Sequence, residues 1–525
     1  MPIDRRLFLQ QLAVVGTSLA TSTLHASPRS SSANKPNIVV ILSDDVGYGD
    51  LSSYGATHVH TPMIDALAAS GLRFTNAHSD AATCTPSRYA MLTGSYAWRH
   101  DGVQILPGDA KLLVQQDQAT IASVLKSAGY TTGLVGKWHI GLGDGKIDWN
   151  GEIKPGPCEV GFDDAFFFAA TADRVPSVYI HNHRVVNLDP ADPIQVSYDQ
   201  KIGHEPTGKE DPDLLKMHLS EGHDGTIVDG VSRIGFMTGG KSALWKDEDM
   251  AATFTNKAVE FIEKNQHRPF LLYFTPSDIH VPRMPAEQFA GKSECGVRCD
   301  VIDQLDWSVG RIVETLKRLH LQQDTLIIFT SDNGPVVNDG YDDGSDRKLG
   351  EHKPAGPFRG GKYTITEGGT HIPLIANWDG HIKPGTSTAL VSQLDLLASF
   401  AALTRQAVPP GQAEDSVNVL PALLGRSPVG RQSLVEEAQV LAIVDGTWKL
   451  IDRSQRPGLH PGPIPKPKAG AMETKLADDG YPTAELELYD LSVDPHETKN
   501  LAKAHPEVVI RLQKELVRIR SGRHS

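Results

Sequence analysis

Short apolar runs that end in polar residues recur along this chain. Residues 38–42 lead into Ser43-Asp44-Asp45, and residues 132–135 into Gly136-Lys137-Trp138-His139. Residues 270–274 lead toward His280, and residues 326–329 into Thr330-Ser331-Asp332-Asn333-Gly334. Apolar runs this short and this uninterrupted suit strands covered on both faces, as in a parallel sheet. Between them, residues 63–70, 120–128, 249–264 and 301–319 carry apolar positions at the helical period. Strand and helix alternate, which predicts a doubly wound α/β sandwich. In such folds a site forms beyond the carboxyl ends of the strands, where each of these polar clusters falls.

Two stretches break the alternation. Residues 150–247 are rich in Pro, Gly, Asp and His, with weak periodicity. They are too long for a plain loop and read as an elaboration near the site mouth. A helical stretch near Leu420 ends at Gly425, and Pro428-Val429-Gly430 reads as a linker. The main domain is therefore expected over 37–429. Beyond it, strand-like residues 440–444, 447–451 and 485–489 precede an amphipathic helix over 506–520. That order predicts a smaller α+β subdomain over 430–525, an antiparallel sheet with a helix against it. Residues 461–480 read as a mobile loop.

The first residues form an address. Arg5-Arg6 is followed by Leu7-Phe8-Leu9, an apolar run to Ala20 and small residues to Ala26. This reads as a twin-arginine signal peptide over 1–26, followed by a disordered leader over 27–36. The run is short and interrupted by Gln10 and Gln11, which argues against a stable membrane anchor. The expected location is the bacterial periplasm or the medium.

Composition narrows the partners. A net charge of −13 over 525 residues argues against nucleic acid. It leaves room for a local basic pocket that takes an anion. Four cysteines are too few for a disulfide scaffold. Cys295 and Cys299 either pair after export or remain two buried thiols; neither has zinc-site spacing.

The chemistry gathers around Cys84-Thr85-Pro86-Ser87-Arg88, just ahead of a helix-like run over 87–96. A helix starting near Pro86 tolerates proline in its first turn and turns Arg88 back toward Cys84. Its amino end offers amide donors to an anion. Asp44, Asp45, Asp332 and Asn333 form an all-oxygen set, which favours Ca²⁺ or Mg²⁺ over zinc. Lys137, His139, His280 and Lys362 add positive charge and proton carriers.

These blocks, with Asp278-Ile279-His280-Val281-Pro282 and Arg359-Gly360-Gly361-Lys362 before Glu367-Gly368-Gly369, resemble the type I, formylglycine-dependent sulfatases. The likeness is to the arylsulfatase A and N-acetylgalactosamine-6-sulfatase branch. It runs from Asn37 to about Gly425 and resumes at Gly446-Thr447-Trp448-Lys449-Leu450, Leu488-Tyr489-Asp490-Leu491 and Asp494-Pro495-His496-Glu497. The resemblance implies an alkaline-phosphatase-like fold and hydrolysis of a sulfated carbohydrate or aryl sulfate through a covalent sulfo-enzyme. It implies that a formylglycine-generating enzyme oxidises Cys84, whose hydrated aldehyde is then the nucleophile. It implies one Ca²⁺ per chain on Asp44, Asp45, Asp332, Asn333 and residue 84, with Arg88 assisting. Lys137, Lys362 and His280 would bind substrate, His280 as acid to the leaving alcohol and His139 as base. Twin-arginine export carries folded chains, so the oxidation is expected in the cytoplasm. One departure is His371, after Gly369-Thr370, where many relatives carry arginine. Asp173, Arg174, His181, His183, His223 and Asp224 are candidates for sugar contacts. Two rival readings are a phosphonate or phosphate ester hydrolase of the same superfamily and a non-catalytic sulfated-glycan binder.

Overall fold

Strand β1, Asn37–Ser43, is buried at every position and lies in the middle of a ten-stranded sheet. The computed structural model describes residues 35–100, 102–457 and 484–522. The signal peptide expected over 1–26, the leader expected over 27–36 up to residue 34 and the loop expected over 461–480 lie outside the described residues, while Pro36, counted in that leader, is buried and accepts from the Tyr130 hydroxyl at 2.7 Å. Around β1, four strands run parallel to it: β2 (Thr131–Lys137), β3 (Asp164–Phe168), β4 (Phe270–Thr275) and β5 (Thr325–Ser331). Their order across the sheet is β5-β1-β4-β2-β3. Antiparallel strands flank this parallel set, Leu374–Asn377 beside β5 and Ile180–His181 beside β3, and short strands beyond them complete the sheet.

The two faces of β1 enter different cores, because side chains alternate along a strand. Ile38, Val40 and Leu42 join one core; Val39 and Ile41 join the other. The first core includes residues of helix α1, Cys84–Thr93. The second is lined by α2, Met250–Asn265, and α3, Val297–Arg318. Each fully buried side chain of this size contributes about 1.5–3 kcal/mol. The expected layers are present. Cys295 and Cys299 form a disulfide at the start of α3, with Cα atoms 5.6 Å apart. Among the described residues, no helix is long and apolar enough to cross a membrane.

Among the strands that escaped the sequence pattern, such as Leu374–Asn377, two bear on the site and the C-terminal sheet. β3 lies inside 150–247, the stretch read as elaboration. Its apolar run is short and follows Asp163-Asp164, so the turn residues hid it. The irregular stretch therefore splits into residues 150–163 before β3 and a longer part after it. In the C-terminal sheet, β6 (Ser433–Glu437) precedes β7 (Leu441–Asp445), β8 (Trp448–Asp452) and β9 (Leu486–Asp490), all antiparallel. β6 was missed because Glu436 and Glu437 look like exposed residues, yet both are buried. Helix α4, Pro506–Arg520, packs on this sheet as expected.

A buried ionic knot ties the two sheets together. The Lys449 ammonium on β8 lies 2.8 Å from Glu367, 2.8 Å from Glu436 and 3.8 Å from Glu497. His371 joins it, with Nδ1 2.7 Å from Glu367 and Nε2 3.0 Å from the Thr75 carbonyl. Burial pushes the Glu497 carboxyl up to about 8, Lys449 opposing the shift and Glu367 adding to it. A value raised above the unfolded one gives stability that is full below pH 4.5 and lost as pH rises through 8. Glu497→Gln is therefore expected to flatten the fall of melting temperature across that window. A slope identical to wild type would contradict it.

Candidate functional site

Helix α1 sets the centre of the site. It starts at Cys84, two residues before the expected start at Pro86, and ends at Thr93 rather than Tyr96. Gly94 stops it, with φ 68° in the left-handed region that glycine adopts readily. Cys84 is thus in the first turn, one turn from Arg88. β6 braces the segment just before it: the Glu437 amide donates to the Asp80 carbonyl at 2.8 Å, and the Ala82 amide to the Glu437 carbonyl at 2.9 Å.

The carboxyl ends of β1, β2 and β5 bring the charged residues to this helix. Arg88 Nε donates to Asp332 Oδ2 at 2.8 Å, and its Nη2 lies 3.6 Å from Asp44. Lys137 Nζ donates to both Asp44 oxygens, at 2.9 and 2.8 Å. Lys362 Nζ donates to Asp45 at 2.9 Å and to Asp339 at 3.0 Å. All of these side chains are buried. Charges removed from water persist only when paired and hydrogen-bonded, and these are. Asp45 and His139 have φ of 59° and 57°, a costly conformation for non-glycine residues that recurs at functional sites.

Electrostatics sort the groups. Burial alone would raise Asp44, but Lys137, His280, Arg88 and Lys362 together hold it below the usual carboxylate range. Burial pushes Asp332 up to about 6, against the pull of Arg88. Burial also raises the Cys84 thiol, so an unmodified cysteine here is no ready thiolate. Burial, with Lys137 next, holds His139 well below its ordinary value. Its Nε2 lies 3.0 Å from the Leu106 carbonyl, which fixes the proton on Nε2. Nδ1 is then a buried lone pair with no hydrogen-bond partner among the described residues. His280 Nδ1 donates to the Val281 carbonyl at 2.8 Å and turns Nε2 to within 4.0 Å of Asp45. Burial, then Lys362 and Lys137, lowers His280.

The oxygen set has the chemistry of a hard-cation site. Asp44, Asp45 and His280 present ligand-type atoms within 4.8 Å of one another. Asn333 Nδ2 donates to Asp45 Oδ1 at 2.7 Å, which leaves Asn333 Oδ1 buried and without a partner among the described residues. Two carboxylates of this group, with the Asp332 carboxylate at the end of β5 and the orphaned amide oxygen, make an oxygen set whose chemistry fits Ca²⁺ or Mg²⁺.

The sequence-predicted core set of Asp44, Asp45, Cys84, Arg88, Lys137, His139, His280, Asp332, Asn333 and Lys362 converges here. The insertion divides. Asp173 accepts from Arg174 at 3.1 Å and lies 2.8 Å from His223, and its charge interacts with His280. His181 and His183 instead pair with Asp164 and Glu159, away from the cluster, and Asp224 is exposed. Asp339 and Tyr363 were missed. The Tyr363 hydroxyl donates to Asp339 at 2.9 Å, and Asp339 holds Lys362. Their only sequence signal is nearness to Asn333 and Lys362.

The sulfatase family profile matches residues 36–406. An N-acetylgalactosamine-6-O-sulfatase of Bacteroides thetaiotaomicron is 49% identical over 93% of this chain and 94% of its own length. Human arylsulfatase A is 33% identical over 91% of this chain and 86% of its own. A solved Bacteroides thetaiotaomicron structure, described within a study of glycosaminoglycan metabolism, superposes with a TM-score of 0.87 at 48% identity. It covers 93% of this chain and 100% of that one. With the family matched over most of its length, the chain belongs to the sulfatases and is a hydrolase of sulfate esters.

Proposed function

We propose that the protein removes a 6-O-sulfate from N-acetylgalactosamine in a sulfated glycan, after export to the periplasm or beyond. The observation that carries this reading is the 49% identity to a protein of that named activity, along nearly its full length. The twin-arginine pattern at Arg5-Arg6 supports the location. Cys84 is the residue for conversion to formylglycine by a formylglycine-generating enzyme; its hydrate supplies a hydroxyl nucleophile that a buried thiol does not. Asp44, Asp45, Asp332 and Asn333, with residue 84, would hold one Ca²⁺, which when bound draws negative charge from a sulfuryl oxygen and the nucleophile.

The remaining roles belong to the side chains. Lys137 and Lys362 place positive charge on two sides of the sulfuryl group, where preorganised charge is worth most. Arg88 secures Asp332 and Asp44 and adds charge beside residue 84. His280 must first take a proton at Nε2, a form that Asp44 and Asp45 favour against its burial, and it then passes that proton to the leaving alcohol. His139, with its proton fixed on Nε2, takes one at Nδ1 from the second hydroxyl of the hydrate. Asp173 and Arg174 are the insertion residues offered to the sugar, and His223, buried with its ring nitrogens on Glu221 and Asp173, holds Asp173 in place.

Desulfation of 6-O-sulfated and 4-O-sulfated N-acetylgalactosamine, read by chromatography, tests the substrate. Equal activity on phosphate or phosphonate esters would replace this reading with a broader ester hydrolase. Binding without sulfate release would replace it with a glycan binder. Chelation of the metal is expected to lower turnover at least 100-fold, the order seen when metal sites are disturbed, with recovery on adding Ca²⁺. Full activity in a metal-free preparation would refute the Ca²⁺ assignment.

A further inference from the structure

One buried amide reaches the site without belonging to any block that carries the chemistry. Gln393 lies in the turn after Val391–Ser392 and is fully buried. Its Nε2 donates to the Ser87 hydroxyl and, at 3.3 Å, to the Asp332 backbone carbonyl. Ser87 Oγ donates to that same carbonyl. The three groups close a triangle, and the triangle fixes the amide orientation. Ser87 spends its proton on the carbonyl, so it must accept from Gln393; a flipped amide would set two acceptors against each other.

The carbonyl in question belongs to the peptide that joins Asp332 to Asn333. Both flanking side chains are in the oxygen set. Asp332 Oδ2 is held by Arg88, and Asp332 Oδ1 accepts from the Asp45 amide at 3.2 Å. The backbone amide of Asp332 donates to the Ser43 carbonyl at 3.1 Å. Gln393 and Ser87 supply the remaining restraint, from behind the peptide. Ser87 sits on α1 between Cys84 and Arg88, so the same contact sets the helix of residue 84 against the end of β5.

We propose that Gln393 is a positioning residue that locks the Asp332–Asn333 peptide and thereby sets the cation affinity of the site. It touches neither substrate nor metal. Its action is through one carbonyl and one hydroxyl, as outer hydrogen bonds orient metal ligands elsewhere. The inference rests on the reading of Asp332 and Asn333 as ligands.

The test is Ca²⁺ titration of the purified protein by calorimetry, with no substrate present. Gln393→Leu keeps the volume and removes both donors. Its Ca²⁺ affinity is expected to fall 10- to 100-fold. Activity is expected to fall at low Ca²⁺ and to recover as Ca²⁺ is raised, a pattern that general loosening of the fold does not give. Gln393→Asn, whose amide is a methylene too short, is expected to weaken Ca²⁺ in the same direction and guards against misfolding of the leucine variant. Unchanged Ca²⁺ affinity in a folded variant overturns the inference alone. A wild-type protein that takes up no Ca²⁺ defeats the metal assignment and the inference with it.

Discussion

Cys84→Ala is expected to abolish sulfate release, by about 10⁶-fold, the scale of losing a catalytic nucleophile. The residue is 1% exposed, in the first turn of α1, and faces Arg88, Lys137 and Lys362. Alanine removes the reactive group while leaving a small apolar side chain that fits the helix, so the fold should survive. Cys84→Ser is the sharper probe. A serine hydroxyl can attack sulfur once, but it lacks the second hydroxyl needed to eject sulfate. Near-total loss of turnover is expected, with a sulfated residue 84 retained on the protein and visible by mass spectrometry. Wild-type enzyme carrying an unmodified thiol at position 84 while fully active would sink the nucleophile assignment.

His280→Ala should cost 10² to 10⁴ in rate on a sugar sulfate, the usual contribution of a general acid. The cost should depend on the leaving group. A sugar alcohol leaves poorly and needs a proton; a nitrophenol leaves as its anion and does not. On 4-nitrophenyl sulfate the same variant should lose far less. The geometry behind this is the Val281 carbonyl, which takes Nδ1–H and aims Nε2 into the cluster. If both substrates slow equally, His280 is binding the sulfate rather than donating to the alcohol.

The strands that sequence revealed are those buried on both faces. Residues 38–42 and 326–329 carry no polar interruption because β1 and β5 touch a core on either side. β3 and β6 show the limit. Aspartates precede the short run of β3, and β6 ends in two glutamates: Glu436 is buried against Lys449 two strands on, and Glu437 is buried where its backbone pairs with residues 80–82, far back in the chain. The site followed the same logic. Its chemical residues sit at strand ends and in compact blocks, where local sequence marks them. Asp339 and Gln393 act through loops that meet only in the folded molecule. Local pattern also could not separate His223, which reaches the cluster, from His181 and His183, which do not, because their partners Asp173, Asp164 and Glu159 decide it.

The brace between β6 and residues 80–82 has a consequence in time. Roughly 350 residues separate Cys84 from Glu437, and a ribosome adding about 5–20 residues per second needs some 20–70 s to cross that distance. Until then the strand that clamps the approach to Cys84 does not exist. On the proposed maturation, a modifying enzyme would meet Cys84 before this strand is made, and a cysteine 1% exposed afterwards. Slowing translation between these points should raise the fraction of chains that carry the modified residue.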